Sequence, residues 1–243
     1  IIADNIIIPE EKEKFYSEKI IRMPNCYQCN DNKKEICNES ITRKDFNLPD
    51  DAFVFTCFNS NRKITSKEFD IWMRLLSKIN GSVLWLYKSN KLSIKNLYKE
   101  AVKRNIDPKR IVFASRLPLK KHLARHSLGD LGLDTFNYNG HTTTSDALWS
   151  GLPVLTKVGK SFAARVSASL LTAIGLTELI TYSEKEYEEK ALDIAKHPDK
   201  LVRLKSKLSK SKKISPLYNT ELFTRDLEQK FKELVENNNL YKN

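Results

Sequence analysis

Between Asp51 and Ile180, short apolar runs alternate with stretches in which apolar residues recur every three or four positions. Asp51 to Phe58 (DAFVFTCF) reads as a buried strand after the Pro49-Asp50 turn. Ser66 then opens a helix with Ile71, Trp72, Leu75, Leu76 and Ile79 at helical spacing, and Gly81 stops it. The alternation continues with a strand over Ser82 to Tyr87, a helix over Ser93 to Arg104, and a strand over Arg110 to Ala114 behind the Asp107-Pro108 turn. Pro118 to His126 predicts a short helix, Leu131 to Asp134 a fourth strand, Thr142 to Trp149 a helix, and Pro153 to Leu155 a fifth strand. Phe162 to Ala173 returns as helix and Glu178 to Ile180 as a last strand. Trp72, Trp85 and Trp149 each lie inside an apolar run, so all three are expected in the core.

Strands that alternate with helices in this way predict an α/β fold, a Rossmann-like doubly wound parallel sheet with right-handed crossovers. Residues 1–50 read as an irregular arm, 51–182 as the α/β domain, and 183–243 as C-terminal helices packing back on it. Those helices are expected over Glu184 to Lys196, over a basic segment spaced by Leu201, Leu204 and Leu208, and over Asn219 to Asn237. No internal repeat is evident in the chain.

In a parallel sheet, ligands sit in the loops beyond the carboxyl ends of the strands. Three such loops carry the chemistry here: Asn59 to Lys63, Ser115 to His122, and Asn137 to Thr144. In the third, a strand runs through Asn139-Gly140 into a helix N-terminus, where free backbone amides and the helix dipole favour a phosphate or pyrophosphate. His141, Thr142, Thr143 and Thr144 add side-chain donors at the same point. An ordinary capped helix gives the same local pattern, since Thr is a common N-cap.

The net charge of +12 suits an anionic ligand or surface, but much of it is local. Eight Lys or Arg residues face one acid between Lys196 and Lys213, as the solvated face of an amphipathic helix. Aromatic and Gly-rich nucleic-acid signatures are missing, so nucleic acid is not the expected partner. No run approaches the roughly 18 apolar residues of a membrane span, and no secretory leader opens the chain, which predicts a cytoplasmic protein without membrane contact. The first residue is Ile1 and not Met, which leads to the expectation of a piece of a longer polypeptide. Cys26-x-x-Cys29 has zinc-knuckle spacing with Cys37 nearby, but a fourth ligand and a nearby His are lacking, so reduced thiols and no metal are expected.

Several segments together carry a family resemblance. Phe58-Asn59-Ser60-Asn61-Arg62-Lys63-Ile64, Ser82-Val83-Leu84-Trp85-Leu86, the PLKKHLAR segment from Pro118 to Arg125, Leu133-Asp134-Thr135 and Asn139-Gly140-His141-Thr142-Thr143 occur in order. Asp146, Leu148-Trp149 and Gly151 follow, then Ala164-Arg165-Val166 with Ser169, and Ser215-Pro216-Leu217 with Asn219-Thr220. Nearly the whole chain thus resembles the C-terminal half of the catalytic region of protein O-GlcNAc transferases, including bacterial SPINDLY-like members. The resemblance implies the nucleotide-binding lobe of a two-lobed GT-B glycosyltransferase, with UDP-GlcNAc as donor substrate and no cofactor or metal.

Carried over residue by residue, the resemblance places His141, Thr142 and Thr143 at the diphosphate, Asp146 at the ribose hydroxyls, and His122 and Arg125 at the uracil edge. Lys63 corresponds to a catalytic lysine that stabilises charge on the departing UDP. Ser60 stands where the family often has Gln or Asn, and Leu119 where animal members have a lysine, with Lys120 next to it. The first lobe and the tetratricopeptide repeats of the family, which hold the protein acceptor, have no counterpart in these residues. The expected function is O-linked N-acetylglucosamine transfer to Ser or Thr, present here as a donor-binding lobe that does not transfer alone. The alternative is a non-catalytic or truncated UDP-binding module. The sequence does not choose between GlcNAc, glucose and fucose as the sugar.

Overall fold

The computed structural model describes residues 1–237. It holds the first fifty residues more tightly than an irregular arm. Strands β1 (Ile2–Ala3) and β2 (Ile21–Arg22) pair in parallel. Between them the buried Asp4 carboxylate accepts from the amides of Ile6, Ile7 and Tyr27 and from the Ser169 hydroxyl. That knot drives Ile7 and Ile8 into the main core, each at most 1% exposed. Periodicity could not reveal this, because the anchor is one carboxylate gathering donors distant in sequence.

The main sheet has six strands: β3 (Val54–Cys57), β4 (Val83–Tyr87), β5 (Ile111–Ala114), β6 (Leu131–Leu133), β7 (Val154–Lys157) and β8 (Ile180–Thr181). Their spatial order is β5-β4-β3-β6-β7-β8, and every neighbouring pair is parallel. All four residues of β3 are buried, the mark of a strand covered on both faces, which is why its sequence shows no alternation. The chain leaves β3 toward β4 and β5, returns to β6 on its other side, and then proceeds to β7 and β8. The strand order therefore reverses between β3 and β6, and the crevice at their carboxyl ends is where such sheets bind ligands.

Helices cover both faces. Helix α1 (Ser66–Lys78) starts in a capping box, with the Thr65 amide donating to the Glu68 carboxylate at 2.8 Å, and buries Phe69, Trp72, Leu75 and Leu76. Helix α2 (Lys91–Val102) begins two residues before the expected Ser93, because the Asn90 side chain accepts from the Ser93 amide and takes the cap. Helices α3 (Leu119–Arg125) and α4 (Thr142–Trp149) follow β5 and β6.

The helix expected over Phe162 to Ala173 is instead a 3-10 turn, Phe162–Ala164, and then α5 (Val166–Ile174). Arg165 lies between them, with its guanidinium donating to the Ile6 carbonyl at 2.6 Å. Of the strand expected over Glu178 to Ile180, only Ile180 pairs. Thr177–Leu179 is a 3-10 turn leading into β8.

The C-terminal helices pack back over the sheet. Helix α6 (Glu184–Lys196) buries Tyr187, whose hydroxyl donates to the Asp134 carbonyl at 3.2 Å. Helix α7 (Pro198–Ile214) buries Leu204 and Leu208 and leaves Lys207, Lys210 and Lys213 exposed, whereas Lys205 and Lys212 turn in to the Gly129 and Trp149 carbonyls. The buried Tyr218 then reaches the Ser145 carbonyl in α4 at 2.7 Å, and α8 (Thr220–Asn237) ends the described chain. Trp72 and Trp85 are core residues. Trp149 is not fully buried: it packs edge-on against Tyr218 beneath the Lys212 ammonium, and its indole N–H donates to the Lys34 carbonyl at 3.0 Å. An aromatic in an apolar run can end at the core's margin when its polar edge has a partner.

Candidate functional site

The loop from β6 to α4 is shaped by one carboxylate. Asp134, 2% exposed, accepts from the Gly140 amide at 2.7 Å, the Thr135 amide at 2.9 Å and the Asn59 side-chain amide at 3.0 Å through Oδ1. Its Oδ2 accepts from the Thr156 hydroxyl at 2.7 Å. Burial pushes its pKa up, and these donors oppose the shift. Asp134 thus joins the ends of β3, β6 and β7 to the turn before α4. Gly140 has no room for a side chain, since a Cβ there would press on the Thr143 and Thr144 hydroxyls and on Asn59.

Helix α4 has no side-chain cap, and its first ladder bond runs from the Ser145 amide to the His141 carbonyl at 3.0 Å. The amides of Thr142, Thr143 and Thr144 precede that ladder and point out of the N-terminus, a ready anion site. Thr142 is exposed there. The Thr143 hydroxyl donates to Asn59, and that of the buried Thr144 pairs with Ser167 at 2.9 Å. Thr144 therefore secures the helix, while Thr142 remains turned to solvent.

Lys63 comes to the same crevice on a 3-10 turn after β3, with its ammonium donating to the Asn139 carbonyl at 2.8 Å. It also lies 4.0 Å from the centre of the Tyr138 ring, which stacks on His141 at 4.8 Å with 18° between planes. Burial lowers the Lys63 pKa, with Asp134 opposing, and burial plus the Lys63 charge lowers that of His141. The His141 Nε2 is buried and has no hydrogen-bond partner among the described residues. The Lys63 ammonium, the His141 imidazole and the open amides of α4 thus lie at one loop, donors of the kind that a pyrophosphate needs.

The third loop adds a different chemistry. His122 is half-buried beside Phe58, and its pKa falls to about 4 through burial and the adjacent Arg125. Arg125 is 1% exposed, a placement that its i, i+3 spacing to His122 does not reveal. Its guanidinium lies 4.4 Å over Phe58 and donates to the Ser115 carbonyl at 2.6 Å, and burial pulls its pKa down to about 10. It thus fixes the Ser115 loop and the Phe58 ring. Ser60, next after Asn59, is exposed at the rim. Asp146, one turn into α4, is 6% exposed and accepts from the Lys34 ammonium at 2.6 Å.

Sequence reasoning singled out Lys63, His141, Thr142 and Thr143, and the structure gathers them. It missed the part played by Asp134, by the Asn59 side chain, by Tyr138 and by Lys34. The available signal for Asp134 was an acid directly after a buried strand, facing a Gly-containing turn. For Lys34 there was none, because it lies in a polar stretch more than a hundred residues before its partner. Cys26 is buried with its thiol 3.3 Å from the Ser169 hydroxyl, whereas Cys29 is exposed. Among the described residues, no group of three or more His, Cys, Asp or Glu gathers as metal ligands.

Comparison with known proteins gives a consistent result. Residues 34–227 match the model of glycosyl transferase family 41. An Arabidopsis thaliana protein named "Probable UDP-N-acetylglucosamine--peptide N-acetylglucosaminyltransferase SEC" is 33% identical over 237 residues, covering 95% of this chain. A Caenorhabditis elegans protein of the same enzyme name is 35% identical over 197 residues, 80% of this chain. The chain spans only 24% and 17% of the lengths of these two relatives. A mutant of the Thermobaculum terrenum O-GlcNAc transferase superposes with a TM-score of 0.83 at 27% identity, covering 96% of this chain and 44% of that one. The glycosyltransferase WaaG, at 15% identity and a TM-score of 0.63, shares the fold, and these neighbours identify it as a GT-B lobe.

Proposed function

This chain belongs to glycosyl transferase family 41, and from that premise we propose that it is the donor-binding lobe of a UDP-N-acetylglucosamine:protein O-glycosyltransferase acting in the cytoplasm. The observation that carries the proposal is the meeting, at the β3/β6 reversal, of the open N-terminus of α4 with the Lys63 ammonium. A nucleoside diphosphate brings negative charge to that point, and both features favour it. In this reading His141, Thr142 and Thr143 hold the diphosphate, Asp146 the ribose hydroxyls, and His122 the base. Arg125 acts behind His122 by fixing Phe58 and the Ser115 loop, and Ser60 lines the rim. Residues 51–182 form the binding unit, with 1–50 and the C-terminal helices bracing it.

Lys63 is assigned a role in transfer itself. As the sugar–phosphate bond breaks, negative charge grows on the leaving diphosphate. An ammonium already fixed by Asn139 and Tyr138 meets that charge without reorganising. Interactions that strengthen only in the transition state raise turnover more than they tighten substrate. Protein acceptors, with Ser or Thr as the receiving residue, would be held by surfaces outside these residues, since positioning must bring both reactants within about 3–3.5 Å.

The test is calorimetry of this chain with UDP. Micromolar or tighter binding is expected, weakened by His141→Ala, and the absence of both heat and thermal shift would refute the site. Asp146→Ala should weaken UDP more than 2′-deoxy-UDP. In the complete enzyme, Lys63→Ala should lower kcat far more than it raises KM, and a variant with normal turnover would remove Lys63 from the mechanism.

A further inference from the structure

Residues 33–39 cross the outside of the site as a strap. The Trp149 indole N–H donates to the Lys34 carbonyl at 3.0 Å, and the Cys37 amide donates to the Lys120 carbonyl at 3.1 Å. Glu35 pairs with Lys120, and Glu39 with Lys121 at 2.8 Å. These exposed ion pairs contribute little, but the two backbone anchors tie the strap to α4 at one end and α3 at the other. At the α4 anchor, the Lys34 side chain is turned inward. Its ammonium lies 2.6 Å from Asp146 Oδ1, and the two side chains are only 13% and 8% exposed.

That pairing is costly to build for stability alone. Two largely buried charges lose hydration, and such a pair often contributes no more than an apolar substitute would. Nor is it a saturated network: among the described residues, Lys34 donates to Asp146 alone, and Asp146 Oδ2 accepts no hydrogen bond. One carboxylate oxygen is thus fixed by the strap while the other is left open, close enough to His122 for its charge to be felt there. A lone carboxylate next to a bound diphosphate would repel it, and a neighbouring ammonium removes that repulsion.

Resting on the nucleotide reading of the site, we propose that Lys34 is a positioning residue for the ribose. It locks Asp146 through Oδ1, presents Oδ2 to the ribose hydroxyls, and neutralises the carboxylate so that it does not oppose the diphosphate. The ligand class is a ribonucleoside diphosphate, and the discrimination Lys34 supports is ribose against deoxyribose.

The experiment measures UDP and 2′-deoxy-UDP affinities by calorimetry on the wild type and on Lys34→Met, Lys34→Arg, Asp146→Asn and the Lys34→Met/Asp146→Asn double variant. Melting curves verify that each is folded. The wild type should prefer UDP. Lys34→Met should weaken UDP on the order of tenfold, the scale of a lost charged hydrogen bond, and narrow the preference. Lys34→Arg should retain the preference, and the double variant should discriminate no less than Asp146→Asn alone, because the two residues act as one unit. An unchanged preference in Lys34→Met, whether UDP affinity holds or both ligands weaken equally, overturns the proposal and leaves the nucleotide site standing. No UDP binding by the wild type overturns the site reading and this proposal with it.

Discussion

Replacing Asp134 by alanine should remove a large part of the domain's stability, and replacing it by asparagine should not. In the native chain the carboxylate is buried and satisfies two backbone amides, the Asn59 side chain and the Thr156 hydroxyl. Alanine takes that acceptor from all four, and only Asn59 keeps a second one, the Thr135 hydroxyl at 2.9 Å. The hydroxyl can re-aim, but the Thr135 and Gly140 amides are fixed by the backbone, and each stranded buried donor costs about 1–3 kcal/mol. With Asn59 included, the loss is about 4 kcal/mol or more, against total stabilities of about 5–15 kcal/mol for domains generally. Asparagine can keep its carbonyl on Oδ1's three donors and turn its NH2 toward Thr156, whose hydroxyl then accepts. What is lost is the charge assistance of those bonds, about 1–2 kcal/mol. Urea unfolding at pH 7 measures both, read as a shift in midpoint at constant slope. The alanine variant should also lose UDP binding, since Gly140 and Asn59 set the path into α4. An alanine variant within about 1 kcal/mol of wild type, or an asparagine variant as damaged as alanine, would refute the view of Asp134 as the organiser of the loops that follow β3 and β6.

Three further outcomes are expected. Gly140→Ala should distort the turn, because its Cβ meets the Thr143 and Thr144 hydroxyls and Asn59; a cost of about 1–3 kcal/mol in urea and a loss of UDP affinity are expected, and an unchanged crystal structure with full affinity would contradict it. His126 is buried with both ring nitrogens unpartnered among the described residues, and burial drives its pKa well below the ordinary value of 6.5. The native state then refuses a proton that the unfolded chain accepts, so stability is full above the unfolded pKa and falls as pH drops through it. At pH 5 the loss is about 2 kcal/mol relative to pH 7. His126→Phe should flatten that slope in thermal scans between pH 7 and 5, and an unaltered slope would count against it. Tyr187→Phe removes the donor to the Asp134 carbonyl and the acceptor of the Trp72 indole. A loss of about 1–2 kcal/mol in urea is expected, whereas no change would show that the α6 contact is not coupled to the site loop.

The sequence alone determined the architecture. Strands buried on both faces must be continuously apolar, and helices with one buried face must repeat every three to four residues, so the alternation from Asp51 to Ile180 could hardly encode anything but a parallel α/β sheet. It also determined the anion end of the site: Gly140, His141 and the threonines are adjacent in sequence, and a strand-turn-helix junction concentrates amides through local geometry. Lys63 was legible for a related reason, lying just past the end of a strand. The tertiary structure decided whatever depends on partners far apart in the chain. Helix starts shifted where the cap was a side chain outside the apolar pattern, as at Asn90. Asp4 drew the first residues into the core through donors as distant as Ser169. Arg125 turned inward because an aromatic ring from β3's end and a carbonyl from the β5 loop stood ready to receive it. Lys34 met Asp146 across a separation of 112 residues. Apolar periodicity records which side of an element is dry, and it carries no information about which two buried charges will face each other, since that is fixed only when the elements pack.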